Sequence, residues 1–176
     1  RDGAAMVILA GLLNAAKVIK KDLKKSMKFT PAGLPSSSAI TLLRQMKICL
    51  AGAGTAGYGA FKILKEIGIK NLLALDAKGI IYRWRKDDNQ YLREIAKFSN
   101  PQNIRGGLKE AIRDANVFIG LSGVEGLLKS ADIALMAKSP IIFALSILLF
   151  PNMIANFLSG SSVAIVSRIA NSITQL

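Results

Sequence analysis

The sequence contains no histidine and only one cysteine, Cys49, and each scarcity excludes a class of chemistry. Without histidine, the chain supplies no histidine general base, no Ser-His triad and no histidine-ligated metal. With one cysteine, it forms neither an internal disulfide nor a thiolate zinc cluster. Cys49 lies in the apolar run Met46–Ala51, so we expect a buried structural thiol and a reducing compartment, most simply the cytoplasm.

Acidic residues are also scarce, since 11 Asp and Glu stand against 24 Lys and Arg and leave a net charge of +13. This balance suits nucleic acid, an anionic membrane surface or a phosphate-rich cofactor, and does not choose among them. Base-stacking and groove-reading motifs are absent. The mostly apolar run 141–150 is about half of the ~20 residues that a membrane-spanning helix needs. We therefore expect neither a nucleic-acid nor a membrane partner.

The 176 residues, 51% of them apolar, suit one globular domain over 1–176 with a buried core. Short apolar runs predict strands at 47–51, 71–75, 117–121, 140–145 and 163–166, with a short hairpin piece at 79–82. Helices are predicted at 4–25, 55–66, 90–98, 107–115 and 130–137, a loop insert at 29–45, and an exposed charged connection at 83–89. This alternation predicts an α/β fold of the Rossmann type, with a doubly wound, mostly parallel sheet and helices on both faces.

A glycine-rich loop, Gly52-Ala53-Gly54-Thr55-Ala56-Gly57, follows the first predicted strand directly and opens an amphipathic helix. In that context Gly52 allows a tight turn, Gly54 lets the backbone approach a pyrophosphate, and Gly57 lets the helix pack against the strand. The amide groups at the helix start, around Thr55 and Ala56, then hold the phosphate charge. The loop therefore predicts a dinucleotide site.

Asp76 ends the next predicted strand, 24 residues after Gly52, where an acid can bond the hydroxyls of the adenine ribose. We assign Asp76 and the adjacent Ala77 to the cofactor site. An acid at this position disfavours a 2′-phosphate, so NAD is preferred to NADP, although the nearby Lys78 and Arg83 could soften that preference. The alternative is a tight turn followed by a surface aspartate.

Ser122-Gly123 ends the third predicted strand. Loops at the carboxyl ends of parallel strands line the cofactor crevice in open sheets, so both residues are candidates for the cofactor site. A turn without any role in binding explains Gly123 equally well.

The order of these segments resembles the NAD-binding domain of the malic enzymes, especially the compact bacterial and archaeal type. The middle of the chain, from Met46 to Leu145, is the most similar part. The likeness is carried by Gly3–Ala15, the glycine loop, Leu75–Tyr82, Ile95–Lys97 with Asn100-Pro101, Ala115–Ser122 and Pro140–Leu145.

The resemblance implies an oxidoreductase that oxidises malate with NAD or NADP and a divalent metal, Mg or Mn, and releases carbon dioxide and pyruvate. It places the catalytic tyrosine and lysine, and most metal-binding carboxylates, on a preceding domain. The chain begins at Arg1 rather than Met, and we expect it to be a piece of a longer, homo-oligomeric enzyme. We assign no catalytic residue and no metal ligand here, and expect this chain alone to be inactive.

The sequence departs from the family's pattern in the half that faces malate. Gly3-Ala4 replaces a Gly-Thr pair, and Ser146-Ile147-Leu148 replaces an Ala-Asn-Pro turn. Asn171 is the one residue of the asparagine-rich substrate motif that we assign to substrate. Two alternatives stay open: the domain of another dehydrogenase, such as an amino-acid dehydrogenase, and a dinucleotide-binding module without catalysis.

Overall fold

The computed structural model describes residues 8–12, 39–87, 89–124, 127–144 and 164–167, and residues 8–12 are helical. The helices that follow are α1 (Ala39–Gln45), α2 (Thr55–Glu66), α3 (Gln90–Phe98), α4 (Leu108–Ile112) and α5 (Ser130–Ile133). The strands are β1 (Ile48–Ala51), β2 (Leu72–Asp76), β3 (Gly79–Ile80), β4 (Val117–Gly120), β5 (Ile141–Ala144) and β6 (Ala164–Ser167).

The strands form one six-stranded sheet in the order β3-β2-β1-β4-β5-β6. β1 is parallel to both of its neighbours, with Ile48 opposite Leu72 on one side and Val117 on the other. β5 and β6 continue the parallel sheet, whereas β3 turns back antiparallel to β2. The predicted Rossmann-type sheet and the hairpin piece are therefore confirmed. The strand order reverses beside β1, and open α/β sheets bind ligands at such a point.

The sheet separates two hydrophobic cores, because successive residues of a strand face opposite sides. Leu50 packs in the core that contains Phe61 of α2 and Ile95 of α3. Cys49 packs in the opposite core with Ile112 of α4. All four residues of β1 are buried, which explains why the strand has a continuous apolar run rather than an alternating pattern.

Helix α2 has the bounds that the sequence predicts. Its inner face buries Ala60, Phe61 and Leu64 against the sheet. The helix ends where Gly68 adopts φ +83°, and the Gly68 amide donates to the carbonyl of Lys65 at 3.0 Å. Glycine is favoured at this position because the left-handed conformation is unfavourable for residues that carry a Cβ.

The predicted loop insert at 29–45 is wrong for its last part, because Ala39–Gln45 forms α1. Leu43 is fully buried in the core beside α2, and the Arg44 Nε donates to the Ile67 carbonyl at 2.6 Å. Tertiary packing thus holds a helix of only seven residues, which is too short to be stable by itself. Residues 29–38 lie outside the described part.

Several other predictions fall partly or wholly outside the described residues. The first predicted helix is described only at 8–12, and the substrate candidate Asn171 and the segment 145–163 are not described.

The helix predicted at 130–137 is shorter in the structure, since α5 ends at Ile133. Among the residues that the structure describes, no helix is long and apolar enough to cross a membrane.

Candidate dinucleotide-binding site

The glycine loop lies between β1 and α2 and touches two other backbone segments. Gly52 has φ +107°, and a Cβ added there would lie 2.6 Å from the backbone nitrogen of Ser122 after β4. A Cβ added at Gly57 would lie 1.7 Å from the carbonyl oxygen of Gly52. Both positions therefore require glycine, one because of its dihedral angle and the close approach of β4, the other because the helix starts against the turn.

Gly54 has a different environment, because a Cβ added there would meet no atom of the described residues within 4 Å. It is the N-cap of α2 in an extended conformation, and no side chain in the described part of the chain caps the helix. The first amide groups of a helix have no partners within the helix, and the positive end of its dipole favours an anion. The open space at Gly54 is thus where a phosphate could approach the backbone of the helix start.

A crevice of about 370 Å³ opens at the carboxyl ends of β1, β2 and β4. Of the predicted cofactor residues, it brings together Gly52, Gly54, Asp76, Ala77 and Ser122, which are far apart in the sequence. The remaining candidates do not line it: Thr55 lines an adjoining crevice beside α2, while Ala56, Gly57 and Gly123 line neither. Contact with a cofactor stays a prediction for each of these residues.

Ser122 and Gly123, the second and third residues after β4, have distinct conformations. The Ser122 Oγ accepts a hydrogen bond from the Val124 amide at 3.3 Å, and Gly123 has φ +68°. The chain therefore bends at Ser122, which lines the crevice. The left-handed conformation of Gly123 is sufficient to explain a glycine there.

Asp76 is held by a partner that the sequence does not indicate. The Arg85 guanidinium donates from Nη1 to Asp76 Oδ1 at 2.9 Å and from Nη2 to Oδ2 at 2.5 Å. The Lys78 backbone amide donates to Oδ1 at 2.8 Å. Lys78 and Arg83, which we expected to influence this acid, do not pair with its carboxylate through their side chains; the Arg83 guanidinium instead lies over the ring of Trp84.

Arg85 is itself anchored by a second acid. Its Nε donates to Asp87 Oδ2 at 2.7 Å, and the side chain of Asp87 is only 2% exposed. The prediction that 83–89 is an exposed connection is therefore wrong at Arg85 and Asp87. Burial by itself lowers the pKa of Arg85, but its hydrogen bonds to Asp76 and Asp87 outweigh burial and raise the pKa above its ordinary value. The guanidinium is accordingly always charged.

Asn89 is another residue that sequence reasoning missed. It is the N-cap of α3, where its Oδ1 accepts from the Tyr91 amide at 2.8 Å, and it lines both crevices. An asparagine directly before a predicted helix is a recognised N-cap signal, so its position could have been predicted. No comparable local signal marks Arg85 or Asp87.

Cys49 is fully buried in β1, as predicted, and burial raises the pKa of its thiol to about 12 although Lys47 lowers it slightly. A thiol that stays protonated is not a nucleophile at neutral pH. Within the described ranges, no group of three or more His, Cys, Asp or Glu side chains is placed to hold a metal ion.

These features define a Rossmann-type dinucleotide-binding domain. They are a parallel sheet whose strand order reverses at β1, a glycine turn, an uncapped helix start and an acid at the end of β2. The profile of the family described as "Malic enzyme, NAD binding domain" matches residues 2–148. The chain belongs to this family of NAD-binding domains.

The relatives confirm this assignment and include enzymes named for either cofactor. The chain is 38% identical over 82% of its length to an NAD-dependent malic enzyme of Geobacillus stearothermophilus, and 34% identical over 81% to an NADP-dependent malic enzyme of Halomonas elongata. It spans only 26% and 28% of these relatives. A crystal structure of an NAD-dependent malic enzyme from Thermotoga maritima superposes with a TM-score of 0.74 at 29% identity, covering 97% of this chain and 40% of the other.

Proposed function

We propose that the chain holds the nicotinamide dinucleotide of a malic enzyme, with NAD preferred to NADP. The observation that carries the proposal is the open space at Gly54, which faces a crevice bounded by Asp76 and Ser122. The residues fit the group, because an uncapped helix start suits the pyrophosphate and a carboxylate at the end of β2 suits the ribose hydroxyls. The family that the chain belongs to supports the same assignment.

The proposed reaction of the complete enzyme is the oxidative decarboxylation of malate to pyruvate and carbon dioxide, with reduction of NAD. Bound NAD supplies the acceptor for the hydride that leaves C2 of malate. This chain's own part is binding and orientation: the glycine loop holds the phosphates, and Asp76 fixes the adenosine end. Malate, a divalent metal and a homo-oligomeric assembly belong to this proposal through the family alone. The cytoplasmic location belongs to it through the single cysteine, which suits a reducing compartment.

Fluorescence titration of the 176-residue chain with NADH tests the proposal. Gly54→Val should weaken NADH binding at least tenfold, because the branched side chain would fill the space in which we place the pyrophosphate. Gly107→Val is the matched control, since Gly107 is also an extended N-cap glycine and an added Cβ there would meet nothing closer than 3.9 Å, outside the crevice. Equal NADH affinity of Gly54→Val and the parent chain would contradict the proposal.

A further inference from the structure

Three side chains at the adenosine end of the crevice form a continuous chain of ion pairs, here called the Asp76–Arg85–Asp87 cluster. Arg85 stands in the centre and also donates from Nη1 to the Gly79 carbonyl at 3.3 Å. The exposed fractions of the side chains fall from 19% at Asp76 to 9% at Arg85 and 2% at Asp87. Asp76 alone lines the crevice, and the other two stand behind it.

The hydrogen bonds leave Asp76 with little free capacity. Its Oδ1 accepts from the Lys78 amide and from Arg85 Nη1. Among the residues that the structure describes, its Oδ2 accepts only from Arg85 Nη2. Each carboxylate oxygen has about two acceptor positions, so Oδ1 is filled and Oδ2 keeps one. The Arg85 fork thus fixes the plane of the carboxylate and leaves one acceptor position for a ribose hydroxyl.

The net charge of the cluster determines whether it attracts or repels a 2′-phosphate. Two carboxylates and one guanidinium give a net charge of −1, because Asp87 offsets the guanidinium that would otherwise neutralise Asp76. A phosphate monoester adds about two further negative charges. Repulsion is only weakly screened at a half-buried site, so the position of the second acid matters even without contact.

We propose that Arg85 and Asp87 are positioning residues that set the preference for NAD over NADP by acting through Asp76. Arg85 orients the acid that bonds the ribose. Asp87 keeps the cluster negative, so that the paired arginine does not become a 2′-phosphate site. This inference rests on the proposed dinucleotide function and adds which residues, outside the crevice, control the choice between the two cofactors.

Titrations with NADH and NADPH test the inference through the ratio of the two dissociation constants, Kd for NADPH over Kd for NADH. Asp87→Asn removes one negative charge and leaves Arg85 paired with Asp76, so the ratio should fall roughly fivefold. Adding Arg85→Gln to Asp87→Asn leaves Asp76 unopposed, so the ratio should rise again, to at least the parent's value. A general loss of stability would weaken the binding of NADH and NADPH together. It would not lower the ratio in the single variant and raise it again in the double variant.

Arg83→Gln, added to Asp87→Asn, is the matched control. It removes the same charge as Arg85→Gln, from a residue two positions earlier in the chain whose guanidinium lies over the ring of Trp84. It should leave the ratio of Asp87→Asn unchanged within about twofold. Arg85→Lys supplies a test that does not depend on changes at Asp87. Lysine keeps the positive charge but cannot donate to both oxygens of Asp76 as the planar guanidinium does. NADH affinity should therefore fall about threefold, while the ratio stays within twofold of the parent's.

The outcomes separate this inference from the proposed function. A parent chain that binds NADH, together with an unchanged or higher ratio in Asp87→Asn, would overturn the inference alone. An Arg83→Gln effect as large as that of Arg85→Gln would also overturn it, because the ratio would then follow overall charge. If Asp87→Asn does not fold, Arg85→Gln alone decides, because it leaves both acids without the guanidinium: the ratio should rise above the parent's, and an unchanged or lower ratio would overturn the inference. A parent chain that binds neither dinucleotide would overturn the proposed function, and the inference with it.

Discussion

A Cβ at Gly57 would lie 1.7 Å from the carbonyl oxygen of Gly52, so the first turn of α2 and the turn after β1 are in direct backbone contact. Two glycines five residues apart therefore act as one structural unit. The contact fixes where the helix starts relative to β1. The position of the helix start in turn decides which part of the crevice its amide groups face.

Gly57→Ala should destabilise the fold by about 3 kcal/mol, because backbone atoms rather than a movable side chain occupy the space. Urea denaturation of the 176-residue chain would measure this change. Gly54→Ala is the matched control in the same loop, since its Cβ meets no atom within 4 Å, and its stability should change by about 0.5 kcal/mol or less. Equal losses in the two variants would show that the close approach at Gly57 is not what limits stability.

Asn100 closes the loop after α3 from a buried position. Its Nδ2 donates to the carbonyls of Ile81 at 3.2 Å and Ile104 at 2.7 Å, and its Oδ1 accepts from the Ile104 amide at 2.8 Å. Asn100→Ala removes all three bonds and places alanine at φ +52°, so we expect a loss of about 3 kcal/mol in the free energy of unfolding.

Asn103 offers the control for this prediction, because it has a similar φ of +54° and its buried Oδ1 has no hydrogen-bond partner among the described residues. Asn103→Ala should therefore cost about 1 kcal/mol, from the backbone conformation alone. If chemical denaturation gives the same loss for both variants, the hydrogen bonds of Asn100 contribute nothing beyond its dihedral angle.

Cys49 should resist thiol reagents in the folded chain, because burial raises the pKa of its thiol to about 12 and encloses its sulfur in the core. Reaction with an aromatic disulfide reagent at pH 8 should be at least a hundredfold slower in buffer than in 6 M guanidinium chloride. The sequence has no other cysteine, so the absorbance change reports this residue alone. Equal rates in the two solvents would mean that β1 is not buried as described.

The hydrogen bond from the Tyr58 hydroxyl to Glu94 joins α2 to α3 beside the crevice. This bond, and after it the one from Lys65, holds the pKa of Glu94 below its ordinary value, since both favour the charged carboxylate. The sign follows: the pair stabilises the fold above the ordinary carboxyl pKa, and this contribution disappears as the pH falls through the lowered pKa.

Tyr58→Phe should therefore raise the pKa of Glu94, as measured by carboxyl-carbon NMR during a pH titration. Tyr91→Phe is the control, because its ring packs against Tyr58 at 4.6 Å between centroids without contributing to the pKa of Glu94. A Glu94 pKa that does not change in Tyr58→Phe would remove the proposed link between the two helices.

The sequence alone predicts most of the fold, because the signals involved are local. The run Ile48–Ala51 is apolar throughout and stops at glycine. The helix after it has a clear amphipathic period and ends at Glu66, two residues before Gly68. The sequence does not predict α1, since the helix depends on Leu43 entering the core and on Arg44 reaching the end of α2. The contact of Arg44 with Ile67 spans 23 residues of sequence, beyond any periodic signal.

The cofactor site likewise has one part that the sequence predicts and another that only the tertiary structure reveals. By itself, the sequence determined that a glycine turn, a helix start and an acid at the end of β2 would meet, because consecutive parallel strands bring their carboxyl ends to one edge. Only the tertiary structure decided that Asp76 is paired with Arg85 and that Asp87, almost fully buried, anchors the arginine. The physical reason is that these charges are brought together by the β3 hairpin and the turn after it, and no residue spacing encodes their mutual geometry.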